Sequence, residues 1–529
     1  MNLHATKKIA SLATAALMLT SISVPAFAAD AASDETVIKI FHTNDVHSRY
    51  ESATNDDGTL SQFGYARLKT LINQNTDAGD HVLLLDAGDT FHGQPFATLN
   101  EGDSIAKVMR AVGYDAMCPG NHDFNYGAYR LAELGRHADV PVLAANVKRA
   151  NGESPAYMQD YLVFDEGGVK VGVFGMATPE TKFKTNPKNV QFLKFEDPTE
   201  TAQKMVDTLR NEEEVDVVVC LNHLGVDDSS EGLRSTDVAA AVDGIDLIID
   251  GHSHTPGEDY EVVNDTVINS AGQYMEEVGM VTITVDEAGE VEVAADQLKA
   301  SDYTEESLPA APSVQKVIDE VKASQESILS QVVASTPVKL LGERENVRTS
   351  ETNLAHLITA AMLNETGADV AITNGGGIRA SIEAGETTVG DVQNVLPFGN
   401  YIVTVKLTGA QLKEAVENGL PGRSGGSLEV IGKMAQVGGL EVTYNPDAPE
   451  GSRIVTITHN GEEIDDNATY LVATNDFMQS GGDGYTSLNQ PIENEFAALD
   501  EAVISYMKQI GSDGVKALSA ETPNLQIAK

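Results

Sequence analysis

Val37-Ile38-Lys39-Ile40-Phe41 runs directly into His42-Thr43-Asn44-Asp45-Val46-His47. A β-rich apolar run that ends on a carboxylate and an imidazole reads as a buried strand delivering metal ligands at its tip. The pattern recurs along the chain. Val82-Leu83-Leu84-Leu85 leads to Gly88-Asp89, residues 215–221 lead to Asn222-His223, and Ile245-Asp246-Leu247-Ile248-Ile249 leads to Gly251-His252-Ser253-His254. Gly120-Asn121-His122-Asp123 completes the set. Continuous apolar runs are expected of strands covered on both faces. Helical patterns at 64–73 and 201–211 lie between them, so the alternation predicts an α/β domain. Ligands of such sheets gather beyond the carboxyl ends of the strands, where these motifs fall.

The motifs offer Asp45, His47, Asp89, Asn121, His223, His252 and His254 as metal ligands. Metals that activate water take imidazole nitrogen and carboxylate oxygen. Asp45-x-His47 suits one metal, because alternate residues at a strand end can point the same way. Asp89 is placed to bridge two metals, and Asn121 supplies a neutral oxygen. Two ions about 3.5–4 Å apart clamp the attacking and leaving oxygens at phosphorus. The cofactor expectation is therefore two divalent metals, with Zn, Mn, Co, Mg and Fe all compatible with mixed O/N ligands. His122 follows a ligand directly and is not needed as one. It is expected to stabilise charge on the phosphoryl oxygens or to protonate the leaving oxygen. Asp86 and Asp123 read as carboxylates that orient ligands, Asp250 as a loop cap, and His42 and His92 as non-ligands.

The 529 residues predict two domains. There are 80 Asp+Glu against 35 Lys+Arg, a formal net charge of -45. Such a surface repels nucleic acid and anionic lipid, which leaves small molecules as partners. Lys7 and Lys8 precede an apolar stretch from Ile9 to Val24, and Ala26-Phe27-Ala28 offers a small-x-small cleavage site. Residues 1–28 thus read as a signal peptide, with export to a periplasm, a cell surface or the medium, and no transmembrane segment is expected in the mature chain. Cys118 and Cys220 are expected as buried free thiols.

The first domain is expected at 36–300 and a linker with one helix at 301–336. Within the linker, Val314, Val317, Ile318, Val321 and Ile328 fit a 3.6-residue period. The second domain, 337–527, predicts a helix at 353–364 and strands at 369–373, 440–444, 454–458 and 470–474. Its Gly-rich stretch 421–427 reads as a flexible surface loop. Arg344 and Arg348 sit four apart, Asn374-Gly375-Gly376-Gly377-Ile378-Arg379 follows a strand, and Phe398 and Phe477 each lie among small residues, the latter ahead of Asp483. Two Phe rings can sandwich a base, and Arg pairs with phosphate oxygens.

In order and spacing the five motifs resemble those of the calcineurin-type metallophosphoesterases, and the second domain resembles the C-terminal domain of 5'-nucleotidases. The resemblance implies a four-layer α/β/β/α sandwich for the first domain and an α/β substrate domain for the second. It implies one metal held by Asp45, His47, Asp89 and His254, and another by Asp89, Asn121, His223 and His252. Arg344, Arg348 and Arg379 would bind phosphate, Asn374 and Asp483 would face the nucleoside, and Phe398 and Phe477 would stack on the base. The two domains would rotate about the linker to bring substrate to the metals. The implied activity is hydrolysis of nucleoside 5'-phosphates by metal-activated water, extending to nucleotide sugars or di- and triphosphates. One departure stands out. The family's acidic-Phe-Asp reads Asp123-Phe124-Asn125 here, so the residue expected to pair with His122 carries no charge. Asn125 at this point also resembles the 2',3'-cyclic nucleotide 2'-phosphodiesterase/3'-nucleotidases, the first alternative. A non-catalytic nucleotide-binding surface protein is the second.

Overall fold

The computed structural model describes residues 35–260 and 262–528, apart from the side chains of Ser229 and Asp259. The proposed signal peptide lies outside the described residues. In the first unit, β1 (Thr36–Thr43), β2 (His81–Asp86) and β3 (Ala116–Met117) are parallel neighbours. A second five-stranded sheet follows, made of β4 (Tyr161–Glu166), β5 (Val169–Ala177), β6 (Val217–His223), β7 (Leu247–Ile249) and β8 (Val267–Asn269) in the order β8-β7-β6-β5-β4. The chain then returns through β9 (Glu277–Val285) and β10 (Val291–Lys299), so the first sheet reads β10-β9-β1-β2-β3.

The alternation of side chains along each strand builds the layers. Ile38, Ile40, Leu83 and Leu85 of one sheet meet Val171, Val173, Val217, Val219 and Leu221 of the other in a core between the sheets. On the outer faces, Phe41 and Leu84 pack with α1 (Gly64–Gln74), α2 (Asp103–Val112) and α3 (Ala128–Ala138). Val218, Cys220 and Ile248 pack with α4 (Pro198–Asn211) and α5 (Ser235–Ala241). This is the α/β/β/α sandwich. α4 starts where its sequence says: Asp197 accepts the Glu200 N–H and Pro198 occupies the first turn. β7 starts two residues into the apolar run 245–249, and the Asp246 carboxylate accepts the Val218 N–H at 2.8 Å. Cys118 and Cys220 are buried free thiols.

The linker helix α6 (Pro312–Leu329) buries Val314, Ile318, Val321 and Gln325. The three apolar residues join the helix-side core of the first unit, and Gln325 donates to the Phe96 carbonyl at 2.6 Å. The next strand, β11 (Val332–Thr336), lies within the span expected as linker but pairs with Gly385–Thr388 of the second unit. That unit is built on α7 (Asn353–Thr366), β12 (Val370–Asn374), β13 (Gly385–Thr388), β14 (Tyr401–Thr408), β15 (Ala435–Gly438), β16 (Thr469–Asn475), β17 (Ile492–Ala498) and α8 (Leu499–Ser519). Its central sheet has the order β15-β12-β16-β14-β17. The stretch 421–427 is not a free loop. Arg423–Ser424 pairs with Ser427–Leu428 across Gly425-Gly426, both at positive φ, a two-residue hairpin turn that glycine permits. Among the described residues no helix is long and apolar enough to cross a membrane.

Candidate metal centre and adjoining cavity

The parallel register from Ile38↔His81 to Thr43↔Asp86 makes β1 and β2 end together. Their loops stay joined beyond the sheet: the Asp45 N–H donates to the Gly88 carbonyl at 2.9 Å and the His47 N–H to the Asp89 carbonyl at 2.8 Å. The other three motifs arrive at the same edge from β3, β6 and β7. Asp45, His47 and His254 form one group of ligand atoms within 4.8 Å of one another, and Asp89, His223 and His252 form another. Asp89 also belongs to a third group with His47 and His122. It thus sits between the first two, as a bridging carboxylate requires. Asn121 Oδ1, Asp45 Oδ1 and His223 Nε2 are buried with no hydrogen-bond partner. Unpaired buried polar atoms are costly, and two divalent cations would satisfy them, one at Asp45 and the other at Asn121 and His223. His223 Nδ1 lies 2.6 Å from the Ala87 carbonyl, which leaves Nε2 free for a metal. The residues present therefore fit two divalent ions.

The backbone explains why these motifs are short. Asp45, His47, Asp89, His252 and His254 have φ between 43° and 80°, so five of the seven proposed ligands are left-handed. Such conformations are costly for residues other than glycine and collect at functional sites. Close approach does the rest. A Cβ on Gly120 would overlap the Asp89 carboxylate, and one on Gly88 would overlap the Gly120 backbone.

A shell of carboxylates holds this geometry. Asp123 accepts from the backbone N–H groups of Asp89, Thr90, Phe91 and Gly120 at 2.8–3.0 Å. Asp86 accepts from the hydroxyls of Thr43 and Thr90, and Asp250 from the N–H groups of Leu224 and Gly225. His42 meets Asn269 at 2.6 Å. His92 is held between the Tyr401 hydroxyl at 3.0 Å and Glu501 at 2.9 Å.

The electrostatics point the same way. Burial pushes the Asp89 carboxyl up, but His223 and His122 outweigh it and hold Asp89 well below the usual range. Asp45 is likewise held at about 2, where burial is overcome by His254 and His223. Burial opposes a charged His223, yet Asp89 and Asp45 raise it to about 10. The field at this spot calls for positive charge.

Several site residues carry no motif signal. Glu180 and Lys184 meet His252 Nε2 at 2.9 and 3.0 Å. Arg49 lies over the Tyr274 ring at 4.6 Å. From the second unit, the Tyr401 ring stacks on His122 at 4.2 Å between centroids, and Glu495 Oε2 comes within 3.6 Å of His122 Nε2. Lys184, Arg49, Tyr274, Tyr401 and Glu495 line one cavity of about 290 Å³ with His47, Asp89, Asn121, His252 and His254.

Five of the seven expected substrate residues gather next door, while Arg344 and Arg379 do not line that cavity. Arg348, Asn374, Phe398, Phe477 and Asp483 line a cavity of about 440 Å³, where Asn374 donates to Asp483 at 2.7 Å. Arg379 lies over the Phe398 ring at 5.5 Å. Burial, then the charges of Arg344 and Arg379, lower the Arg348 pKa. Phe398 and Phe477 are 54% and 45% exposed, an unusual state for large apolar rings and one suited to stacking a ligand. Phe398 and Asn400 line both cavities, but none of the three Arg lines the cavity of the metal ligands.

Where the two units meet, burial and the neighbouring Glu501 raise Asp500 to about 7. Its folded pKa exceeds the unfolded value of about 3.9, so the stability it contributes is complete below that value and is lost as pH rises through 7. Asp500→Asn removes this loss. Urea denaturation is expected to show a gain of roughly 2 kcal/mol at pH 8 and none at pH 4.

A four-layer sandwich with these clusters at its strand ends defines a metal-dependent phosphoesterase. The calcineurin-like phosphoesterase family matches residues 38–256, and the 5'-nucleotidase C-terminal domain matches 332–490. The chain is 35% identical to the trifunctional nucleotide phosphoesterase protein YfkN of Bacillus subtilis over 90% of its own length, but spans only 34% of that protein. It is 30% identical to Protein UshA of Yersinia enterocolitica, covering 90% of this chain and 92% of that one. The solved 5'-nucleotidase precursor of Thermus thermophilus superposes with a TM-score of 0.55 at 30% identity, over 93% of this chain and 99% of that one. The chain belongs to the 5'-nucleotidase family and is a phosphoric ester hydrolase.

Proposed function

We propose that the protein is an exported 5'-nucleotidase that releases phosphate from nucleoside 5'-phosphates, with nucleotide sugars and di- and triphosphates as further substrates. The observation that carries this reading is the cavity of Arg348, Asn374, Phe398, Phe477 and Asp483 beside the His/Asp groups. It offers two exposed rings for a base, hydrogen-bonding groups for the sugar and the Arg348 guanidinium for phosphate. Export rests on the pattern of residues 1–28.

Asp45, His47, Asp89 and His254 would hold one divalent ion, and Asp89, Asn121, His223 and His252 the other. When bound, such ions neutralise phosphoryl charge and make water nucleophilic at neutral pH. The chain's own residues do the rest. Asp89 spaces the two groups, Asn121 adds a neutral oxygen, and His122 donates toward the phosphoryl or leaving oxygen. Because Arg348 lines the neighbouring cavity and none of the three Arg lines that of the metal ligands, the second unit would turn relative to the first to carry phosphate to the metals.

The test is phosphate release from AMP against cleavage of 2',3'-cyclic AMP, with purified protein and each candidate metal added. AMP is expected to be the better substrate. Turnover of the cyclic ester alone would move the assignment to the phosphodiesterase alternative, and turnover of neither would end the nucleotide reading. Phe398→Ala and Phe477→Ala are each expected to raise KM for AMP by about 5- to 100-fold, the equivalent of one lost stacking contact. Unchanged KM in both would remove the rings from the base site.

A further inference from the structure

Asn125 stands where the family carries an aspartate, and the two differ in more than charge. A carboxylate offers two identical oxygens, so turning it over changes nothing. An amide turned over offers oxygen in place of nitrogen, and a histidine beside it then meets an acceptor instead of a donor. An asparagine at this position works only if something fixes its orientation.

The segment after β5 places a hydroxyl against that amide. Thr185 is fully buried, and its hydroxyl donates to Asn125 Oδ1 at 2.7 Å. Asn125 Nδ2 is left facing His122 Nδ1 at 3.2 Å. With Nδ2 donating, Nδ1 accepts, and the proton of the ring sits on Nε2, the nitrogen turned toward the cavity and Glu495. The same segment grips the motif at two further points. Asn189 Nδ2 donates to the Asn125 carbonyl and Asn121 Nδ2 to the Lys184 carbonyl, both at 2.7 Å. Neither Thr185 nor Asn189 lies in a metal-binding motif.

We propose that Thr185 is a positioning residue for His122: its buried hydroxyl orients the Asn125 amide, which holds the imidazole with Nε2–H toward the phosphoryl oxygens. This rests on the phosphoesterase assignment and not on the nucleotide reading. The experiment is a double-mutant cycle, with kcat and KM measured on p-nitrophenyl phosphate with added Mn(II). Thr185→Val is isosteric and is expected to lower kcat about tenfold with little change in KM, the cost of one lost buried hydrogen bond in the transition state. Thr185→Ser, which keeps the hydroxyl, is expected to recover most of the loss. In the Asn125→Asp background, Thr185→Val is expected to cost less than about twofold, because a carboxylate needs no orienting. An equal cost in both backgrounds would mean that Thr185 only supports the fold, and no cost in either would mean that Asn125 is oriented without it. Both results overturn the proposal. If the valine variant does not fold, Thr185→Ala is measured in the same cycle. A failure of the nucleotide reading is distinct, since wild type would then hydrolyse the nitrophenyl ester but no nucleotide.

Discussion

Asp89→Asn is expected to lower kcat by about a thousandfold or more, the scale of losing a preorganised charge at the reacting centre. The carboxylate is tied to partners on both sides. Its Oδ1 accepts the His122 N–H at 2.8 Å, and its Oδ2 lies 3.3 Å from His223 and 3.9 Å from His47. Asn has the same shape, so the fold and the Tm are expected to hold. What changes is the charge between the two ligand groups and the second oxygen that a bridge needs. Metal content by elemental analysis is expected to fall below two ions per chain. A variant that keeps both full activity and two metals would show that Asp89 does not bridge.

His122→Ala separates the two roles open to that residue. As a donor to the phosphoryl or leaving oxygen, its loss is expected to lower kcat by about 10²- to 10³-fold with KM little changed. Metal content should stay at the wild-type level. His122 does lie within ligand distance of His47 and Asp89, so the measurement is decisive. Loss of a metal together with activity would make it a ligand.

Strands β1, β2, β6 and β7 were legible because each follows an apolar run and a motif begins where the run stops, whereas β3, β9 and β10 of the first sheet were not read from the sequence. The linker helix was legible because Val314, Ile318 and Val321 share one face. Other parts leave no local trace. β14 carries the β-branched residues of a strand, but nothing in Tyr401 says that its ring will rest on a histidine nearly three hundred positions earlier in the chain. Glu180, Lys184 and Thr185 lie in a segment of ordinary composition, and their contacts come from what folds against them. The left-handed backbone of the ligands is equally silent, since nothing in the residues around Asp45 or His252 announces positive φ. Gly425-Gly426 misleads in the other direction: a pair of glycines suggests slack chain, whereas here it makes a tight turn.

The seating of α6 has a practical corollary for anyone wishing to express the catalytic half alone. Cutting the chain at residue 300, where composition suggests the boundary, would strip Val314, Ile318 and Val321 from the core they complete and leave Phe96 without the Gln325 amide. The natural scissile point is Ser330-Gln331, exposed and just ahead of the strand that belongs to the other half. The helix is part of the metal-binding half's core, and any turning of the second unit that the proposed function requires would fall on the few residues beyond Leu329.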